Sequence, residues 1–159
     1  MARQLLGHST AAAYTHVLSH GARCVEIDVW PSAKGPIVTH GHTFSKSVPF
    51  LDVCKAIGAS ITPSSWPTLV SLECHVGVEG QPEMIDLMDQ TWGDKLVREV
   101  LHGTTPEGVS PQELKGKILL MVCLLVVNPA SFAEHMCLGG VLPCSGVRGG
   151  ARGYIFCLL

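Results

Sequence analysis

Apolar residues recur with two different periods along the first 121 residues, and these periods predict helices and strands in turn. Helical spacing follows Ser9, the expected N-cap, and stops at Gly21. Strand-like runs occur at CVEIDVW, PIVTH, TLVSLECH and KILLMV, and helical faces at FLDVCKAIGASI and PEMIDLMDQTWGDKLVREVL. Because helices alternate with apolar strands, the pattern predicts an α/β fold with a mainly parallel sheet.

The link between the first two strands is too short to cross the sheet. Only PSAKG separates CVEIDVW from PIVTH, whereas a parallel return needs roughly a dozen residues or more. We therefore expect a hairpin or a tight return. A turn centred on Ala33 would place His40 opposite Glu26.

The composition changes after about Met121. From there to Leu159 the chain has only three charged residues, and four of its seven cysteines lie in this stretch. Helical and strand periodicity is lost. The change predicts either an irregular, partly buried tail or a segment that does not belong to the preceding domain.

Charge and cysteine usage exclude several classes of function. The formal net charge is −2, without a Lys/Arg cluster, so nucleic acid is not an expected partner. Seven cysteines without a CxxC pair, together with an N-terminus unlike a signal peptide, suggest reduced thiols in a cytosolic chain.

The longest apolar run, ILLMVCLLVV, is shorter than the roughly 20 residues of a membrane span, so membrane contact is expected to be peripheral. Dinucleotide and P-loop fingerprints are absent from the sequence.

Two carboxylates share one face of an apolar strand. Glu26 and Asp28 lie two positions apart, so their side chains point the same way. Glu73 lies toward the end of a later strand, where parallel α/β folds form their sites. Converging carboxylates repel one another unless a cation lies between them, and hard oxygen donors suit Ca²⁺ or Mg²⁺ better than zinc.

Other interpretations of these residues stay open. An acidic pair on a strand lies more often on a solvated face than in a metal site. His40 is more often a hydrogen-bonded structural residue, although an imidazole beside carboxylates also suits acid–base chemistry or phosphate contact. For His42 and His75 a structural role is favoured over a catalytic one.

Five ordered blocks resemble the X region of eukaryotic phosphoinositide-specific phospholipase C. They are RCVEIDVW, PIVTHGHTF, FLDVCKAI, TLVSLECH and SPQELKGKILL, and QLLGHSTAAAYTHVLSHGARC resembles the preceding stretch. The likeness covers residues 4–120 and is nearest to fungal members. It implies a TIM-barrel-like fold, with the first half of the catalytic barrel over residues 1–121 and a non-homologous tail over residues 122–159.

The resemblance also implies site residues and a reaction. Glu26, Asp28 and Glu73 correspond to Ca²⁺ ligands, Glu26 also to a group that helps deprotonate the inositol 2-hydroxyl, and His40 to one of two catalytic histidines. In the family, phosphatidylinositol 4,5-bisphosphate is hydrolysed at a membrane surface to diacylglycerol and inositol trisphosphate, through a cyclic phosphate. The implied location is cytoplasmic, with peripheral membrane association and a role in lipid signalling.

The chain departs from the family pattern at both ends. The family segment with the other catalytic histidine and an asparagine ligand is missing, Met121 and Cys123 replace phosphate-binding lysines, and the Y region that closes the barrel does not follow. We therefore expect a truncated gene product with an open half-barrel, inactive alone. The alternatives are a non-catalytic fragment that binds Ca²⁺ or an anionic head group, and a glycerophosphodiester-phosphodiesterase-like barrel.

Overall fold

The computed structural model of the protein describes residues 10–39, 47–98, 109–124, 142–143 and 154–157. Within these residues the helices are α1 (Ala11–Ser19), α2 (Phe50–Ser60) and α3 (Gln81–Trp92). The strands are β1 (Cys24–Trp30), β2 (Ile37–Val38), β3 (Val48–Pro49), β4 (Thr68–Cys74), β5 (Ile118–Leu124), β6 (Leu142–Pro143) and β7 (Tyr154–Cys157). No helix in the described part of the chain has both the length and the apolar character needed to span a membrane.

The strands form one mixed sheet in the order β3-β2-β1-β4-β5-β7-β6. Its centre is parallel, since β4 runs parallel to both β1 and β5. Antiparallel strands flank this centre on both sides. The α/β class is therefore confirmed, and the sheet is mixed: its two longest ladders are parallel, whereas β2 and β3 return antiparallel and β7 pairs antiparallel with β5.

The expected hairpin between β1 and β2 is present, with a different register. Val38 pairs with Val29, whereas a turn centred on Ala33 would have paired Ile37 with Val29. The turn is tightened where the Ser32 hydroxyl donates to the carbonyl of Gly35 at 2.6 Å. A one-residue shift moves a side chain to the other face of a strand, so the expected pairing of His40 with Glu26 is not supported. His40 and His42 themselves lie outside the described residues.

Two predicted helix boundaries are corrected. Thr10, not Ser9, caps α1, because its side-chain oxygen accepts from the backbone N–H of Ala13 at 3.3 Å. The predicted helix through PEMIDLMDQTWGDKLVREVL ends at Trp92, where Gly93 adopts φ +52°. A left-handed residue at this point terminates the helical ladder, and Leu96 instead bridges to Ile118 of β5.

The main core lies on one face of the sheet. In β1 the buried residues alternate with more exposed ones, and the same alternation holds in β4. The buried face packs with the apolar faces of α1, α2 and α3 in one cluster. Its fully buried large side chains are Trp92, Phe50, Ile27, Ile57, Leu72, Met84, Met88, Ile118 and Leu120. Glu26, Asp28, Ser71 and Glu73 consequently point away from the helices.

The tail contributes backbone pairing to the sheet. Residues 154–157 run antiparallel to β5, and residues 142–143 pair with them in turn. The expectation of an irregular tail is therefore wrong at these positions. The proposed division into residues 1–121 and 122–159 stays a prediction.

Candidate functional site

Parallel pairing of β1 with β4 brings two of the predicted carboxylates side by side. Asp28 pairs with Glu73, and Glu26 pairs with Ser71 two residues earlier along the strands. All three acids lie on the face opposite the core, as their period-two spacing predicts. Asp28 and Glu73 are partly buried, whereas Glu26 is exposed.

A histidine completes the cluster at the carboxyl ends of these strands. Asp28, Glu73 and His75 each offer one ligand atom, and these atoms lie within 4.8 Å of one another. Glu26 is not a member of this group. His75 follows directly after β4 and lies two positions beyond Glu73, so it stays on the same face.

The Asp28 carboxylate is held by two N–H donors. Its Oδ1 accepts from Trp30 Nε1 at 2.9 Å and lies 2.9 Å from His75 Nε2. The two rings stack almost in parallel, with centroids 3.9 Å apart and an interplanar angle of 12°. The side chains of His75 and Asp28 are only 16% and 13% exposed, so water screens their contact weakly.

These contacts change the interpretation of His75. The sequence favoured a structural role, and the structure places the imidazole directly on a predicted metal ligand. Trp30 was not singled out from the sequence at all. Both residues follow an acid by two positions on the same strand face, and that spacing is the signal that could have identified them.

Tyr14 links α1 to the acidic strand. Its hydroxyl donates to the backbone carbonyl of Glu26 at 3.1 Å. Burial, and then the negative charges of Glu26 and Asp28, raise the pKa of Tyr14 to about 12. The tyrosine therefore stays neutral beside the acids and fixes the backbone of β1 below them.

The donor set fits a hard divalent cation. Two carboxylates converge with one imidazole, and carboxylate oxygens are the ligands that Ca²⁺ and Mg²⁺ prefer. The imidazole nitrogen nearest the cluster already contacts Asp28, which leaves the carboxylates as the main donors. The assignment of Glu26, Asp28 and Glu73 as ligands, and of Glu26 and His40 as catalytic groups, stays a prediction.

A shallow cavity lies at the opposite end of the sheet. Its lining includes Lys95, Lys115 and Lys117, near the amino ends of β4 and β5. Lys117 Nζ donates to the carbonyl of Asp94 at 2.8 Å, and Lys115 lies over the Trp66 ring at 4.7 Å. None of Glu26, Asp28 and Glu73 lines this cavity, so we place the candidate site at the carboxyl ends of the strands.

Sequence comparison finds one family over most of the chain. The family described as phosphatidylinositol-specific phospholipase C, X domain, matches residues 1–123. The 1-phosphatidylinositol 4,5-bisphosphate phosphodiesterase delta-4 of Bos taurus is 41% identical over 74% of this chain and 15% of its own length. The delta-1 protein of Rattus norvegicus is 36% identical over 92% of this chain and 18% of its own length. The chain thus spans under a fifth of these relatives, which are animal proteins and do not confirm the expected likeness to fungal members.

Structure comparison gives consistent matches. The crystal structure of S. officinalis PLC21 matches with a TM-score of 0.67 and 34% identity, over 74% of this chain and 16% of that one. A calcium-dependent phosphoinositol-specific phospholipase C from a Gram-negative Pseudomonas species matches with a TM-score of 0.60 over 76% of this chain and 54% of that one. At 15% identity, this second match shows a shared fold alone.

Proposed function

This chain belongs to the phosphatidylinositol-specific phospholipase C X-domain family, and we propose that it forms the carboxylate-bearing first half of a TIM-barrel-like catalytic domain. The proposed reaction is hydrolysis of phosphatidylinositol 4,5-bisphosphate to diacylglycerol and inositol trisphosphate. Relatives named as phosphodiesterases of this lipid support the substrate class. The proposed setting is the cytoplasmic surface of a membrane, with peripheral association.

The observation that carries the proposal is the pairing of Asp28 with Glu73 on the polar face of the sheet. Parallel strands place functional groups at their carboxyl ends, and both acids lie there. A barrel built on this sheet would enclose that face. The same face of β1 carries Glu26, two residues farther from the strand end.

Asp28 and Glu73, with Glu26 behind them, are the residues that would hold Ca²⁺. A bound cation of this kind lowers the pKa of a coordinated hydroxyl and stabilises charge on phosphoryl oxygens. The exposed Glu26 carboxylate would accept the proton of the inositol 2-hydroxyl as that oxygen attacks phosphorus and the bond from phosphorus to the diacylglycerol oxygen breaks. The released diacylglycerol oxygen would take up a proton, and water would then open the cyclic phosphate. His40 would supply a proton-transfer group, a role that rests on the HGHTF motif.

Terbium luminescence tests the cation site, because Trp30 lies against Asp28 and can sensitise a bound ion. We expect excitation of tryptophan in the full chain to produce Tb³⁺ emission that Ca²⁺ displaces. Asp28→Asn and Glu73→Gln should each lose this emission. Asp86→Asn, an exposed acid on α3, is the matched control and should retain it. Absence of sensitised emission from the unmodified chain would contradict the proposal.

The catalytic part of the proposal is tested on lipid vesicles. Among the described residues, no second half-barrel covers the face that carries the acids. We therefore expect no Ca²⁺-dependent release of inositol trisphosphate by this chain alone. Vesicles that contain phosphatidylinositol 4,5-bisphosphate are the substrate. If the chain does release inositol trisphosphate, and Glu26→Gln abolishes this release, then the chain is active without a second half-barrel.

A further inference from the structure

Two rings from adjacent strands converge on one oxygen of Asp28. Trp30 and Asp28 lie on β1, and His75 follows directly after β4, yet the indole and the imidazole stack with centroids 3.9 Å apart. Trp30 Nε1 and His75 Nε2 each lie 2.9 Å from Asp28 Oδ1. The indole nitrogen can only donate, and an ionised carboxylate can only accept. The hydrogen of the imidazole therefore lies on Nε2 whenever both contacts are made.

This arrangement restricts a torsion that is otherwise loose. The last torsion of an aspartate side chain is broad and has no sharp staggered minima. Two donors fixed to Oδ1 set the plane of the carboxylate. The stack makes the donors one rigid unit, because neither ring can rotate without losing contact with the other. The Asp28 carboxylate is thus oriented beside its neighbour Glu73 before any ligand arrives.

We propose that Trp30 and His75 are positioning residues that hold Asp28 for a divalent cation, an inference that rests on the proposed function of the site. His75 acts through Asp28 and is not itself a ligand. Its Nε2 is engaged by the carboxylate, and imidazole suits zinc better than Ca²⁺. Groups that orient a metal ligand in this way typically contribute about 10- to 100-fold to metal affinity.

Variants that separate hydrogen bonding from stacking test the inference. Trp30→Phe and His75→Phe keep an aromatic ring and lose one donor, whereas His75→Gln keeps a donor and loses the stack. Calorimetric titration of the full chain with Ca²⁺ and with Tb³⁺ gives the affinities. We expect about 10- to 100-fold weaker binding for both phenylalanine variants and recovery to within a few-fold for His75→Gln. Trp66→Phe, at an exposed tryptophan away from the acids, should leave the affinity unchanged.

A measurement on the unmodified chain does not depend on the variants folding. Nitrogen-15 spectra should show the His75 ring with its proton on Nε2. Saturating Ca²⁺ should then shift the indole resonance of Trp30 and leave that of Trp66 in place. If saturating Ca²⁺ leaves the indole resonance of Trp30 and the imidazole resonances of His75 unshifted, the inference is wrong.

The outcomes distinguish this inference from the function on which it rests. If Trp30→Phe and His75→Phe bind Ca²⁺ and Tb³⁺ with the affinity of the unmodified chain, the positioning role is wrong, whereas the proposed cation site stands. If His75→Gln binds as weakly as His75→Phe and the unmodified chain prefers Zn²⁺, then His75 is a ligand, which also overturns it. Unmodified chain that binds neither cation would overturn both the inference and the proposed function.

Discussion

Gly58 allows α2 and α3 to approach closely, and Gly58→Ala tests how tightly this interface is packed. A β-carbon at this position would lie 2.7 Å from the backbone carbonyl oxygen of Thr91 and 3.1 Å from Cδ1 of Trp92. The carbonyl cannot move without the rest of α3. Trp92 is 1% exposed and its Nε1 donates to the carbonyl of Cys54 at 2.9 Å, so α3 is fixed to α2 at this point.

Two opposing effects decide the sign of the change. Replacing glycine by alanine inside a helix normally gains about 1 kcal/mol through helix propensity. Overpacking of a well-packed interior costs about 1–3 kcal/mol, and a contact with backbone falls toward the middle of that range or above. We expect Gly58→Ala to lower the free energy of unfolding by about 1 kcal/mol, since the steric cost exceeds the propensity gain.

Urea denaturation followed by circular dichroism measures this change. Ala59→Gly, at an exposed position of the same helix, is the matched control and reports the local propensity without a steric contact. It should cost about 0.5–1 kcal/mol. If Gly58→Ala gains as much free energy of unfolding as Ala59→Gly loses, the added methyl group meets no steric resistance. This result would refute the close approach of α2 and α3.

Two further predictions follow from buried titratable groups. The pKa of Tyr14 is raised to about 12 in the folded chain, so folding favours the neutral phenol. This contribution to the free energy of unfolding is complete below pH 10. It should fall by an amount on the order of 2 kcal/mol as the pH rises toward 12. Denaturation at increasing alkaline pH measures the loss, and a Tyr14→Phe variant with an equally steep dependence would contradict it. Burial raises the pKa of the Cys54 and Cys74 thiols, so iodoacetamide should modify the exposed Cys24 at least tenfold faster than either, as read from labelled peptides by mass spectrometry. Equal labelling of the three would contradict the burial.

Local patterns predicted the faces of the strands correctly. The alternation in CVEIDVW and TLVSLECH sets which side chains turn from the core, and the structure keeps both alternations. Helical links between strands imply parallel neighbours, which placed Asp28 and Glu73 at one end of the sheet. The position of each acid near the carboxyl end of its strand could therefore be predicted from local patterns.

Register between distant segments could not be predicted in the same way. Glu26 lies two positions before Asp28, a rise of about 7 Å along a strand, and it is absent from the group within 4.8 Å. Whether it approaches Glu73 depends on how β1 pairs with β4, which no local pattern fixes. The contact between His75 and Asp28 could not be predicted for a related reason, because the two residues are distant in sequence and become adjacent only after the strands pair.

The repulsion that first suggested a cation has a second physical solution. Two unit charges no more than 4.8 Å apart repel by at least about 3 kcal/mol at an effective dielectric constant near 20. A hydrogen bond to a charged group contributes about 1.5–3 kcal/mol, and Asp28 accepts two. Donors from Trp30 and His75 thus contribute a stabilisation of the same order as the repulsion between Asp28 and Glu73. The case for a cation consequently rests on the shared face, the register and the family, and not on unbalanced charge.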